Sequence, residues 1–147
     1  MTVALSAPPP RRGAARLDPG LLRDRARRIL AELCHARSEL SVALVDDAEI
    51  AALNAAWRRR RGPTDVLSFS LLEGRHAERR AGLLGDVVIG VGVARRQARA
   101  AGRSLDDELA RLLIHGVLHL VGHDHARAAE ARAMRAEERR LWRALRG

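Results

Sequence analysis

Two periods of apolar spacing alternate along this chain, and their order outlines a fold. After Asp18-Pro19, Leu21, Leu22, Ile29, Leu30 and Leu33 recur at helical spacing, which predicts a helix running to about Ala36. LSVALV at 40–45 is a short apolar run of strand type. Asp46 or Asp47 can cap the next helix, on which Ile50, Leu53 and Trp57 share a face. DVLSFSLL at 65–72 and LLGDVVIGV at 83–91 read as two more strands, joined by the charged loop EGRHAERRAG. A helix from about Val93 to Ala101 precedes Gly102, and Ser104 with Asp107 forms a box-like cap for the helix after it. The last helix spans roughly Ala126 to Leu145, with Met134, Leu141, Trp142 and Leu145 facing a core. Near the start, TVAL is a possible short strand, followed by a Pro- and Arg-rich stretch expected to be mobile. This divides the chain into an N-terminal segment, 1–17, and one domain, 18–147, without repeats. Strands and helices in this order predict an α+β fold, a small β-sheet packed with helices.

Composition adds boundaries. A chain of 147 residues can bury about 68–70% of its unfolded surface around one core, with no need of disulfides. Only Trp57, Phe69 and Trp142 are aromatic, so the core must be built from Leu, Val, Ala and Ile, and base-stacking platforms of the RNA-recognition-module type are absent. Cys34 stands alone, which suits a reducing compartment. No apolar run is long enough for a signal-peptide core or a membrane span, so the expected location is cytoplasmic. The net charge is +9, and all 27 basic residues are Arg. The absence of Lys points to a GC-rich genome rather than to selection for guanidinium, but the charge still attracts polyanions by counterion release. Arg58-Arg59-Arg60-Arg61 is the sharpest cluster; it also suits a helix C-terminus before Gly62-Pro63.

The chemistry is concentrated in RLLIHGVLHLVGHDH, 111–125, where His115, His119 and His125 follow the spacing H-x-x-x-H-x-x-G-x-x-H. Histidines four apart on a helix lie on one face, and Gly122 can turn the chain back so that a third imidazole arrives. Three imidazoles suit zinc and leave a fourth tetrahedral position for water, the arrangement of a catalytic rather than a structural site. A lone histidine in an apolar run is ordinarily a core residue, but four of the six histidines fall within eleven residues here. His123 could be a further ligand or face solvent or substrate, and His35 and His76 read as surface residues. Metzincin proteases share the spacing but carry Glu as general base after the first histidine, where this chain has Gly116. Efficient peptide hydrolysis is therefore disfavoured, while a zinc ion that activates water and polarises a phosphoryl oxygen is retained.

HGVLHLVGHDH resembles the H-G-x-L-H-L-x-G-x-D-H signature of the YbeY family of metal-dependent endoribonucleases. LNAAWR at 53–58, PTDVLSF at 63–69 and LGDVVIG at 84–90 match that family in the same order. The resemblance covers roughly residues 38–145. It departs at His123, where the family often has Tyr, and at Ser70, where it often has Pro. It implies that the sheet is mixed and that the metal-bearing helix lies beside a cleft, a zincin-like build. It also implies one zinc ion on His115, His119 and His125, a zinc-bound water as the catalytic group, and Arg58 as an arginine near the active site.

Asp124 could accept from a ligand's second nitrogen or serve the turn, and Asp65 and Asp86 stand at strand starts, where capping is the commoner role. No general base is assigned. The expected function is a zinc-dependent endoribonuclease acting on single-stranded regions of small-subunit ribosomal RNA, in its maturation and in ribosome quality control. RNA and ribosomal or small-subunit proteins are the expected partners, and no membrane is involved. The alternatives are a zinc-containing ribosome assembly factor with little catalysis, or a metallopeptidase lacking the usual Glu.

Overall fold

The computed structural model describes residues 2–7, 16–70 and 83–146. Among these residues nine elements follow one another: β1 (Thr2–Ser6), α1 (Pro19–Glu32), β2 (Glu39–Val45), α2 (Asp47–Arg58), β3 (Val66–Ser70), β4 (Leu83–Gly90), α3 (Val91–Ala101), α4 (Leu105–Leu120) and α5 (Ala128–Arg146). The strands make one sheet in the order β1-β2-β4-β3. β1 and β2, and β2 and β4, are parallel, whereas β3 runs antiparallel to β4. The sheet is therefore mixed and the fold α+β. The TVAL strand is formed and pairs with β2, Val3 opposite Leu40. His76, the loop at 73–82, the Leu71-Leu72 end of the third strand and the Pro-rich segment at 8–15 lie outside the described residues.

Side chains alternate across the sheet. Leu40, Val42, Leu44, Val87 and Ile89 join the larger core with Leu22, Ile29 and Leu30 of α1, Leu109, Leu113 and Val117 of α4, and Met134 and Leu141 of α5. Leu67, Phe69, Val88 and Val45 point to the opposite face, where Ile50 of α2 completes a smaller core. The period of two within each strand assigns the layers, and it leaves Ser68 of β3 on the α4 side, with its hydroxyl donating to the Gly116 carbonyl at 2.8 Å.

The helix starts follow their caps. Asp18, Asp46 and Ser104 accept the backbone N–H groups of Leu21, Glu49 and Asp107. The cap of α4 is only half of a box, because the Asp107 carboxylate pairs with Arg25 of α1 at 3.2 Å. α1 stops four residues before the predicted end at Ala36: Cys34 adopts a φ of 62°, and the His35 N–H reaches back to the Leu30 carbonyl at 2.7 Å. Periodicity could not reveal this reversal, since only the backbone conformation at Cys34 ends the helix. α3 starts at Val91, two residues earlier than predicted, and α5 at Ala128, two residues later.

Candidate metal centre

α4 is a deeply embedded helix. Leu109, Leu112, Leu113, Ile114, Val117 and Leu118 are all buried, so its register against the sheet is set by packing. Gly116 permits the close approach to β3 and β4. A Cβ there would lie 2.7 Å from Val87 Cγ1, 3.1 Å from Ser68 Oγ and 3.2 Å from Val66 Cγ2. Position 116 thus faces the sheet, and a side chain there would be driven into the β-layer. A carboxylate-bearing side chain after the first histidine would need the β-layer to give way.

One helical face over from Gly116, His115 and His119 stand half-buried with their Nε2 atoms 3.1 Å apart. Beyond them Gly122 takes a φ of 101°, the His123 N–H closes onto the Leu118 carbonyl at 2.9 Å, and the chain turns back. His125 arrives by that turn, exposed, with its ring centroid 5.3 Å from that of His119 and 6.0 Å from that of His115. One donor nitrogen from each of the three lies within 4.8 Å of the others. Nitrogens about 2.0–2.1 Å from one tetrahedral ion are separated by about 3.4 Å, so a donor set of this size fits a zinc-sized cation after a small closing movement. Charge agrees. Burial, then the neighbouring His115 and His125, lower the His119 pKa below its ordinary 6.5, keeping the imidazole in the neutral form a metal requires.

An outer contact orients one of the rings. Glu138 of α5 places Oε1 3.5 Å from His115 Nδ1, the nitrogen away from the cluster. Such a carboxylate favours a proton on Nδ1 and leaves Nε2 free for an ion. Glu138 has no fixed spacing from the histidines in the chain, so no sequence signal pointed to it. Asp124 takes the other of its two roles: Oδ1 accepts the N–H of His125 at 2.7 Å and shapes the turn. His123 is not among the three gathered donors. Asp65 caps the start of β3, accepting the Val66 N–H at 2.8 Å, with Gln97 Nε2 at 3.4 Å on its other oxygen. His35 sits half-buried beside Ser38, 3.2 Å from its hydroxyl.

Arg58 ends α2 and is tied toward α4 through β3. Its Nη2 donates to the Ser68 carbonyl at 2.6 Å, and its guanidinium lies 4.9 Å from the centre of the Phe69 ring. Since the Ser68 hydroxyl bonds the Gly116 carbonyl, Arg58 and the histidine helix are held by the same residue of β3. A second feature escaped the sequence reading. Glu108, 1% exposed, receives Arg103 at 3.0 Å and Arg111 at 3.1 and 2.6 Å. The Glu108 hydrogen bond raises the Arg111 pKa further above its ordinary value, despite partial burial, so Arg111 is a fixed cation one turn before His115.

A mixed sheet backed by a helix with two histidines one turn apart, completed by a third from the following turn, defines an α+β protein of zincin-like build with a candidate three-histidine metal centre. A family model described as Endoribonuclease YbeY matches residues 16–146, and the chain belongs to that family. The Endoribonuclease YbeY of Anaeromyxobacter sp. (strain Fw109-5) is 49% identical over 145 residues, covering 98% of this chain and 72% of the relative. That of Anaeromyxobacter dehalogenans (strain 2CP-C) is 50% identical over 123 residues, covering 84% of this chain and 62% of the relative. That of Syntrophotalea carbinolica is 45% identical over 123 residues, covering 82% of each. The solution structure of TM1509 from Thermotoga maritima has the same fold, with a TM-score of 0.63 at 22% identity over 97% of this chain and 88% of that one. No helix among the described residues is long and apolar enough to cross a membrane.

Proposed function

We propose that this chain is a zinc-dependent endoribonuclease that cleaves single-stranded regions of small-subunit ribosomal RNA in the cytoplasm, in maturation and quality control, with ribosomal proteins as partners. The observation that carries this reading is the gathering of three histidine donors within 4.8 Å in a chain of the endoribonuclease YbeY family. Residues 18–147 form the nuclease domain. His115, His119 and His125 hold one zinc ion, with Glu138 orienting the first ring. When bound, zinc supplies a Lewis acid for a phosphoryl oxygen and lowers the pKa of a coordinated water to about 7. Arg58, fixed by the Ser68 carbonyl, neutralises a non-bridging oxygen of the scissile phosphate. Position 116 offers no carboxylate to the site, which weighs against the peptidase reading. Among the described residues the cluster has three donors rather than four, which favours an enzyme over a ribosome-bound factor with a closed structural metal.

The test is cleavage of a single-stranded ribosomal RNA fragment by protein of known metal content. Activity is expected to vanish with a chelator, return with zinc, and be lost in His115→Ala. Cleavage that persists without metal, or intact zinc loading without any cleavage, would overturn the enzyme reading.

A further inference from the structure

Trp57 is out of place. It sits in the last turn of α2 with 47% of its surface exposed, the one large apolar side chain so exposed among the described residues. Its indole meets Phe69 edge to face, with ring centroids 6.1 Å apart at 72°, and this contact holds its orientation while leaving much of the ring in solvent. The helix ends immediately afterwards, at Arg59, whose φ of 55° is left-handed. Arg59, Arg60 and Arg61 are all exposed, and none forms an ion pair among the described residues. The helix dipole accounts for a cation within the last turn, at Arg58, but not for Arg60 and Arg61 beyond it. A flat exposed ring beside several unneutralised guanidiniums matches the two parts of a nucleotide, a base and a phosphate. A second copy of this chain would instead bring arginines against arginines.

We propose that Trp57 is a base-stacking platform and that Arg59, Arg60 and Arg61 form the adjoining phosphate track, together a subsite for single-stranded RNA outside the metal centre. The inference rests on the endoribonuclease reading and deepens it. Phe69, which braces Trp57, neighbours Ser68, and Ser68 bonds both Arg58 and Gly116, so the platform is joined through rigid β3 to the helix that carries the histidines. A strand held at Trp57 is thereby kept in register with the site, whatever its sequence, because every base presents a stacking face.

The experiment compares binding of a single-stranded oligouridylate with an abasic ribose-phosphate oligomer of the same length, by fluorescence anisotropy at two salt concentrations. Wild-type protein is expected to prefer the oligouridylate by about tenfold, the scale of one stacked base. Trp57→Ala should abolish that preference, and Trp57→Phe should keep part of it. Arg60→Ala combined with Arg61→Ala should weaken both oligomers and flatten the salt dependence while leaving the base preference. In a Trp142→Phe background the oligouridylate, not the abasic oligomer, should quench the remaining indole. A Trp57→Ala protein that retains the base preference overturns the subsite. A wild type that cleaves RNA but shows no base preference overturns the subsite alone, whereas a wild type that binds neither oligomer overturns the ribonuclease reading with it.

Discussion

Two of the three clustered histidines stand on the most buried helix among the described residues, and the third on an exposed turn. His115 and His119 are flanked on α4 by Ile114, Gly116, Val117 and Leu118, all buried, while His125 is followed by exposed residues from Ala126 to Glu130. The difference separates what folding has ordered from what a bound metal would have to order. Donors 3.1 Å apart on α4 are neighbours without any ion, since the packing of the flanking residues fixes the helix backbone that carries them. His125 hangs on a short turn held by Gly122 and Asp124, and binding it costs whatever freedom that turn still has.

The contrast is most exposed to failure at the ligands. His119→Ala should abolish stoichiometric zinc in elemental analysis, while His125→Ala should retain weaker but measurable binding through the two helix donors. Equal losses would show that the turn is as preorganised as the helix. Next in size is the pair of glycines. Gly116→Glu forces atoms against buried Val87 and should cost about 3 kcal/mol in urea unfolding, without creating peptidase activity. Gly122→Ala meets no neighbour within 4 Å, so only its positive φ opposes the change, at about 1 kcal/mol. Reversal of that order would mean that the turn, not the helix, is the tightly packed part.

Smaller effects sharpen the same comparison. Glu138→Gln removes the carboxylate beside His115 Nδ1 and should weaken zinc about tenfold to a hundredfold in chelator competition. Asp124→Asn, acting on the turn, should do less. The smallest effect is on pH dependence. The folded-state pKa of His119 is lowered below 6.5, first by burial and then by its two histidine neighbours, so the unfolded chain binds the extra proton more readily. Stability of the metal-free protein is then fully present above about 6.5 and falls as pH drops toward the depressed value, a loss softened by the half-exposure of the ring. Thermal unfolding from pH 7.5 to 5 should show the decline, and His119→Gln should flatten it; no difference between the two would remove His119 as its source.

The chain by itself determined what local order can carry. Every described strand and helix was foreshadowed by a local signal, whether an apolar spacing, a short apolar run or a following glycine, and three helix starts by Asp18, Asp46 and Ser104, because propensity and capping act over a few residues. The histidine spacing was equally legible, since one helical turn and one glycine turn bring its three donors together without help from distant segments. Tertiary structure alone decided the rest. The strand order β1-β2-β4-β3 and the position of Glu138 beside His115 depend on contacts between segments far apart in the chain, which no local pattern records. The same holds for the ion pairs that bury Glu108, for the crowding at Gly116, and for the outward position of Trp57. These follow from which faces the layers press together, and an apolar spacing that marks a face as buried does not say what will lie against it.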